Sequence, residues 1–298
     1  MDELDDRART ALFEDHRRLL FSIAYRMLGT VADAEDAVQD AFLRWDRASD
    51  TEVRTPKAFL VTIVTRLCIN HLQSARAQRE TYVGEWLPEP IITEPGSDPL
   101  RIVQADESVS MAMLLLLERL TPPERAVFLL NEIFDYTHAE IAAMLGLSEP
   151  NCRQLLRRAR QHVRAERPRF NALGGQHHEL LDRFYRAAGS GDIDGLLALL
   201  SSDVVLHTDG GGKASALVLP IFGPDKVARA SVFGRNKLMA LEPLQRTVEI
   251  NGEPGIVSYV DGRPHSVFTI EVNAEGRIRA IYIVTNPEKL AHLPPAPF

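Results

Sequence analysis

Residues His207–Ala216 read "HTDGGGKASA", a glycine triplet closed by a lysine, which raises the question of phosphate binding. A phosphate-cradling P-loop needs a glycine, four residues, then Gly-Lys-Ser/Thr, so that backbone N–H groups wrap the phosphates and a hydroxyl holds magnesium. With Gly212-Lys213 as the closing pair, the opening position falls on His207, and Ala214 has no oxygen for a metal. The stretch therefore reads as a turn whose glycines permit close backbone approach. The loop is expected to face the linker or the helical domains, with Lys213 meeting the linker's acidic residues, Glu85 and Glu89 as candidates; the alternative is a hairpin tip without a partner. His207 and Asp209, near a predicted strand end, could form a general-base pair. No nucleophile, metal set or cofactor motif accompanies them, so neither a catalytic role nor a cofactor is expected.

A second group is cationic. "YTHAEIAAMLGLSEPNCRQLLRRARQHVRAE" predicts a short helix over Ala139–Leu145, a turn at Gly146-Leu147-Ser148, and a second helix capped by Ser148 with Pro150 in its first turn. Cys152, Leu155, Leu156, Ala159 and Val163 fall on one face of that helix. Arg153, Gln154, Arg157 and Arg158 fall on the other. This is the pattern of a helix-turn-helix: arginine can pair bidentately with guanine and glutamine with adenine in the major groove. Arg160 and Arg164 suit phosphates. The plainer reading is a solvated basic face on a helical hairpin. His138 reads as a surface or capping residue.

A third group lies near the N-terminus. In "DAEDAVQDAFLRW" (Asp33–Trp45), Ala34, Ala37, Val38, Ala41 and Trp45 form an inward stripe. Asp36, Gln39, Asp40, Phe42 and Leu43 lie opposite. Aromatic and aliphatic groups beside carboxylates on an outward face suggest a protein-docking surface, unless Phe42 and Leu43 bury under a neighbouring helix. "TPKAFLVTIVTRLCINHLQSARAQRE" places Phe59, Leu60, Ile63, Val64, Leu67 and Leu72 on a core stripe, with Arg66, Asn70, Gln73 and Arg76 on a polar face.

These residues need elements to hold them. The chain has 298 residues, enough for two or three domains. The net charge of −7 argues against an independent nucleic-acid binder. Its distribution matters more: acidic over 33–50, basic over 54–79, acidic over 85–107, strongly basic over 153–169. Such blocks suit DNA contact at two places and protein contact elsewhere. No apolar run reaches membrane-spanning length, and the acidic N-terminus lacks the order of a signal peptide. The two cysteines, Cys68 and Cys152, form neither a metal spacing nor a disulfide framework. They are expected to be buried thiols in a cytoplasmic protein.

The expected organisation is a helical domain over 1–80, a proline-rich linker over 81–107, a helix-turn-helix domain over 108–168 and an α+β domain over 175–293. In the last, helical stretches near His177–Ala188 and Asp192–Leu200 precede alternating runs such as "GIVSYV", "HSVFTIEV" and "RIRAIYIV". Turn signals separate them at Asn251-Gly252, Asp261-Gly262 and Glu275-Gly276. A mainly antiparallel sheet with flanking helices follows.

In this order, the motifs resemble a bacterial extracytoplasmic-function sigma factor of RNA polymerase. "DAEDAVQDAFLRW" is similar to that family's core-binding helix, "AFLVTIVTRLCINHLQSARAQR" to its −10 reading and melting helix, and the helix-turn-helix to its −35 domain. Cys152 stands where the family usually has valine, and Leu155 where it often has arginine. "WLPEP", "DGGGK" and "NPEKL" narrow the likeness to the subgroup that continues into a SnoaL-like domain of the NTF2-like fold. The resemblance implies two all-α sigma domains followed by an α+β cone domain that regulates them in cis. It implies a −35 role for Arg153, Gln154, Arg157 and Arg158, and a −10 role for Arg66, Asn70, Gln73 and Arg76. The loop "RASDTEVRTP" would pocket flipped bases. Docking on the β′ clamp of core polymerase falls to Asp36, Gln39, Asp40, Phe42 and Leu43. An interdomain regulatory role falls to Trp86, Leu87, Pro88 and Glu89, to Asp209, Gly210, Gly211, Gly212 and Lys213, and to Asn286 and Pro287. Core polymerase, promoter DNA and a small molecule in the cone's pocket are the implied partners of a chain expected to be monomeric when free. Two rival readings are a polymerase-independent helix-turn-helix regulator with a ligand-sensing domain, and a SnoaL-type enzyme fused to a DNA-binding region.

Overall fold

The computed structural model describes residues 2–48, 55–79, 82–93, 110–166 and 174–296. They form two units. The first comprises the described residues up to 79 and those from 113 to 166; the second comprises 82–93, 110–112 and 174–296.

In the first unit α1 (Asp2–Leu28) ends where Gly29 turns to φ 75° and donates its N–H to the Tyr25 carbonyl at 2.7 Å, a left-handed cap that only glycine adopts without strain. Helices α2 (Val31–Arg47) and α3 (Pro56–Arg79) pack on α1. The inward stripe of α2 is the expected one: Ala34, Ala37, Val38, Ala41 and Trp45 are all buried. The Arg9 guanidinium lies 4.7 Å from the Trp45 ring, and the indole N–H donates to the Arg9 carbonyl at 3.1 Å. From α3, Leu60, Ile63, Val64 and Leu72 are buried, while Phe59 and Leu67 are half-buried. Cys68 and Cys152 are free, buried thiols.

After α4 (Met111–Glu118), α5 (Pro122–Glu132) begins with a capping box between Thr121 and Glu124, which satisfies two orphan donors of the first turn. Buried Arg125 of α5 donates to the Met27 carbonyl and, at 2.7 Å, to Glu118. A second capping box, Thr137 with Glu140, opens α6 (His138–Leu145), and Gly146 at φ 69° closes it. Helix α7 (Glu149–Glu166) follows. His138 is the first residue of α6 and half-buried.

The second unit opens with α8 (Gly174–Ser190) and α9 (Ile193–Leu199), the latter capped by Asp192 accepting from the Gly195 N–H at 2.8 Å. Then come β1 (Leu200–Asp209), β2 (Ile221–Phe222), α10 (Pro224–Met239), β3 (Leu244–Ile250), β4 (Glu253–Val260), β5 (Arg263–Val272), β6 (Ile278–Val284) and α11 (Pro287–Leu290). The strands form one sheet in the order β2-β1-β6-β5-β4-β3, with β1 and β6 parallel and the other neighbours antiparallel. The turns Asn251-Gly252 (φ 54° and 76°) and Asp261-Gly262 (φ 50° and 73°) take the doubly positive form that matches strand twist. The alternating runs do not anticipate α10, whose start signal is Gly223-Pro224, a glycine cap followed by proline at the first helical position.

The two-residue period of the strands gives the sheet two different faces. Leu206, Ile256, Phe268, Ile270 and Ile281 join Leu181, Phe184, Leu196, Val227 and Ala228 in one core between sheet and helices. His207, Asp209, Thr269, Glu271 and Tyr282 occupy the alternate positions.

Candidate nucleic-acid interface and linker-binding site

On α7, Cys152, Leu156, Ala159 and Val163 are buried and Leu155 half-buried, whereas Arg153, Gln154, Arg157 and Arg158 are exposed. The core stripe thus locks the helix while these four polar side chains face solvent. Only Arg153 of the four has a described ion pair, with Glu149 one turn earlier at 3.3 Å. Arg160 is committed elsewhere: its guanidinium forks onto Glu132 of α5, Nε at 2.8 Å, so it is less free for phosphate than its sequence position suggests. The side chain of Arg164 lies outside the described residues.

On α3, Arg66, Asn70 and Gln73 are exposed. The side chain of Arg76 and the loop residues 49–54 lie outside the described residues. Arg66 does something the sequence does not announce. Its Nε donates at 2.8 Å to the carbonyl of Met144, in the last turn of α6. The last carbonyls of a helix lack intrahelical partners, and a cation there also meets the negative end of the helix dipole. The residue expected to read the −10 element therefore caps the first helix of the helix-turn-helix.

On α2, Asp36, Gln39 and Asp40 are exposed and Leu43 is 43% exposed. Phe42 is half-buried, its ring edge-on to Phe13 at 5.0 Å. The outward face exists, with Leu43 and the polar residues as its open part and Phe42 as its anchored edge.

The third motif group converges on Asp209. Its side chain is fully buried, and a buried carboxylate is tolerable only when its acceptor sites are filled. Oδ1 accepts from the Tyr82 hydroxyl at 2.6 Å and the Gly211 N–H at 3.0 Å; Oδ2 accepts from the Leu87 N–H at 2.8 Å and Lys289 Nζ at 2.7 Å. Lys289 is 5% exposed, also donates to the Leu87 carbonyl, and sits 4.1 Å from the Trp86 ring and 5.0 Å from the Tyr82 ring. Burial and the neighbouring Asp209 push the Tyr82 hydroxyl up, which keeps it a donor. Asn286 caps α11, donates to the Tyr82 hydroxyl at 2.9 Å and joins its own N–H to the Asp209 carbonyl at 3.0 Å.

The glycines of "DGGGK" are explained by this approach. Gly211 has φ 59°, and a Cβ there would lie 2.3 Å from Asn286 Nδ2 and 3.0 Å from the Tyr82 hydroxyl. Gly212, at φ 71°, would meet Val83 at 3.1 Å; a Cβ on Gly210 would strike the Ala214 carbonyl at 2.4 Å. The loop does face the linker, but Lys213 is not the contact. Its ammonium pairs with exposed Glu288, rather than with Glu85 or Glu89. Glu85 pairs with His207 Nδ1 at 2.7 Å, and Glu89 lies 3.7 Å from His292. His207 also stacks on Tyr282 with ring centres 5.2 Å apart. Among the described contacts His207 and Asp209 bond to Glu85 and to four donors respectively, not to each other.

Residues 82–93 are not a free spacer. Leu87 and Ile91 are 0% and 1% exposed, and Pro88 is buried. Ile91 exchanges hydrogen bonds with Asn251, through the side-chain oxygen at 3.0 Å and the backbone at 2.8 Å. Ile92 forms an antiparallel bridge with Ile250, and the Thr93 N–H donates to the Glu249 carbonyl at 2.9 Å. The arm thereby pairs with the end of β3, a strand that stands last in the sheet and would otherwise present unpaired groups. Pro287 is exposed at the first position of α11. The sequence reading misses Tyr82, Lys289, Asn251 and His292. Lys289 had a signal, being three residues after Asn286 and hence one turn along the same short helix; the others had none.

Comparison with known proteins accords with this arrangement. The chain matches the Sigma-70 region 2 family over residues 12–78 and the Sigma-70 region 4 family over residues 110–163. It is 40% identical over 294 residues to the ECF RNA polymerase sigma factor SigJ of Mycobacterium tuberculosis, covering 95% of this chain and 93% of that one. It is 30% identical over 283 residues to the probable ECF RNA polymerase sigma factor SigI of the same species, covering 94% of each. The crystal structure of M. tuberculosis SigJ superposes with a TM-score of 0.76 at 37% identity, covering 95% of this chain and 98% of that one. The chain belongs to the extracytoplasmic-function sigma factors of RNA polymerase, in a form that carries a C-terminal α+β domain.

Proposed function

We propose that this chain directs core RNA polymerase to promoters in the cytoplasm and that its C-terminal unit regulates this in cis through the 82–93 arm. In this reading the open face of α2, with Asp36, Gln39, Asp40, Leu43 and the edge of Phe42, docks on the β′ clamp. The exposed residues of α7 enter the major groove of the −35 element. Arg66, Asn70, Gln73 and Arg76 face the −10 region. The main support is the split character of α7: a fully buried stripe fixes the helix, and Gln154, Arg157 and Arg158 stand outward with no described ion pair. The net charge of −7 suits a protein that binds DNA weakly until polymerase adds its own positive surface. The Arg66–Met144 bond uses only Nε, which leaves the Nη groups of this exposed side chain for a phosphate or base. No catalytic step is proposed. His207 and Asp209, the only acid–base pair the sequence suggested, are held by Glu85 and by four donors respectively.

Regulation through the arm rests on its length and attachment. It leads from the α3 side of the chain toward the helix-turn-helix, and its described part is built into the C-terminal unit. Run-off transcription by core polymerase tests the whole reading, with the full chain, a truncation after Arg169, and D209N. Promoter-specific transcripts from the full chain, changed in amount by both alterations, are expected. A gel shift showing operator binding equally strong with and without core enzyme would instead indicate a polymerase-independent regulator.

A further inference from the structure

A cavity of about 360 Å³ opens between the sheet and α8 and α10 of the C-terminal unit, within the size range of small-molecule sites. Its walls are mostly apolar, including Phe184, Leu206, Phe268 and Ile283, and among the described residues no acidic side chain lines it. Arg235 of α10 does. The Nε and Nη1 of Arg235 are buried and lack a hydrogen-bond partner, and its guanidinium lies 4.2 Å from the face of Tyr185, another lining residue. The stack orients the cation but supplies no acceptor, and a buried guanidinium nitrogen without one is costly. Lys237, a second lining cation, is bonded to Ser215 Oγ at 2.7 Å. Arg235, half-buried as a whole, therefore presents two unmet buried donors beside an apolar chamber.

We propose that this cavity binds an apolar monoanion, such as an aliphatic or aromatic carboxylate, with Arg235 as its counter-charge. An Arg fork matches the two oxygens of a carboxylate. The chamber falls in the volume range of sites that take small organic molecules. Leu217, Phe233 and Leu241 line the cavity and are also exposed, at 39%, 73% and 46%, so the chamber opens to solvent along an apolar rim. The site lies apart from the His207–Asp209 side of the sheet, because Leu206 and Thr208 line it and the alternate residues do not. One wall, Ala214–Leu217, continues directly from "DGGGK", and Thr208 Oγ1 holds it by accepting from the Leu217 N–H at 2.8 Å. The loop that faces the arm on one side thus walls the cavity on the other.

Isothermal titration of the full chain with decanoate, with decanol as the uncharged counterpart, tests this without polymerase or DNA, so it can fail while the sigma-factor reading stands. Decanoate should bind one per chain, at least about tenfold tighter than decanol, as expected for one charge-assisted contact. R235Q should bring decanoate down to the level of decanol while decanol binding, which also reports the fold, is unchanged. S231L, which fills the chamber, should weaken both. R235K should retain part of the preference. Equal affinity for the two probes, no decanoate binding, decanoate binding unaltered by R235Q, or decanoate binding unaltered by S231L would overturn the assignment. Should R235Q lose decanol as well, R235K decides: a retained preference for decanoate upholds the proposal and its loss refutes it.

Discussion

The α7 surface and the Asp209 cluster use charged residues in opposite ways. On α7 the charges are exposed and lie within a few residues of one another, Arg157 and Arg158 with no described ion pair, and the buried stripe beneath them supplies the stability. Around Asp209 the charges are buried, saturated with hydrogen bonds and drawn from residues 82–89, 209–213 and 286–289. A surface kept for an absent partner leaves its donors free, because each intramolecular bond would have to break on binding. A charged group that fastens two parts of one chain must have every acceptor filled, because desolvation leaves no water to fill them.

Substitutions can break that contrast, and the largest effect is expected at Asp209. D209A leaves the buried Lys289 ammonium without its carboxylate and should cost about 3–5 kcal/mol. Thermal unfolding should show it, with faster proteolysis across 82–93. D209A with an unaltered melting curve would mean that the cluster fastens nothing.

Next in size is a pH effect at Glu253. Burial, reinforced by the neighbouring Glu271, raises its carboxyl to about 8, and no donor set like that of Asp209 surrounds it among the described contacts. The folded state then holds a proton that the unfolded state releases near pH 4.5. Stability should therefore fall as pH rises from about 5 to 8, by up to about 1.4 kcal/mol per pH unit. E253Q should flatten this dependence in denaturant titrations across that range. A wild-type chain with no decline over the same window would contradict the assignment.

G211A tests the close approach itself. The left-handed backbone and the 2.3 Å encounter with Asn286 should together cost about 1–3 kcal/mol, read as a lowered melting temperature. Equal stability of the alanine variant would show that the arm can move aside freely.

On the α7 side the order of effects should invert. R157A should leave the melting temperature within about 0.5 kcal/mol of wild type yet weaken −35 binding by the polymerase complex by about 1–3 kcal/mol, measured by fluorescence anisotropy. A loss of stability without a loss of promoter affinity would place Arg157 in the scaffold instead. The smallest effect is expected at Lys213. Its partner Glu288 is 68% exposed, and breaking a solvated pair by K213E should cost at most about 1 kcal/mol. A larger loss would restore the lysine to the centre of the linker contact.

Legibility followed the same division. The buried stripe of α2, the two helices around Gly146, the exposed polar face of α7 and two hairpin turns could be read in advance, because helix and strand periods, caps and turn glycines act over a few residues. "DGGGK" was legible as a loop, but its choice of the linker over the helical domains was not, nor was the partner of its lysine: Glu85 and Glu89 were the candidates, and Glu288 takes the contact. Residues 82–93 read as a proline-stiffened spacer because prolines do mark extended chain, and nothing local says that an extended chain will join the edge of a sheet 160 residues later. Arg66 read as a DNA contact because it is basic and outward on its own helix; that it caps α6 depends on a neighbour 78 residues away.

What the sequence by itself determined is therefore the amphipathic sides of α2, α3 and α7, the helix-turn-helix, the alternating sheet and the family they spell. Tertiary structure alone decided which charges are spent and which remain available. The reason is physical: an amphipathic period is written in residues a few positions apart. A hydrogen bond at Asp209, or an unmet buried donor at Arg235, depends on the distance between groups that only the folded chain brings together.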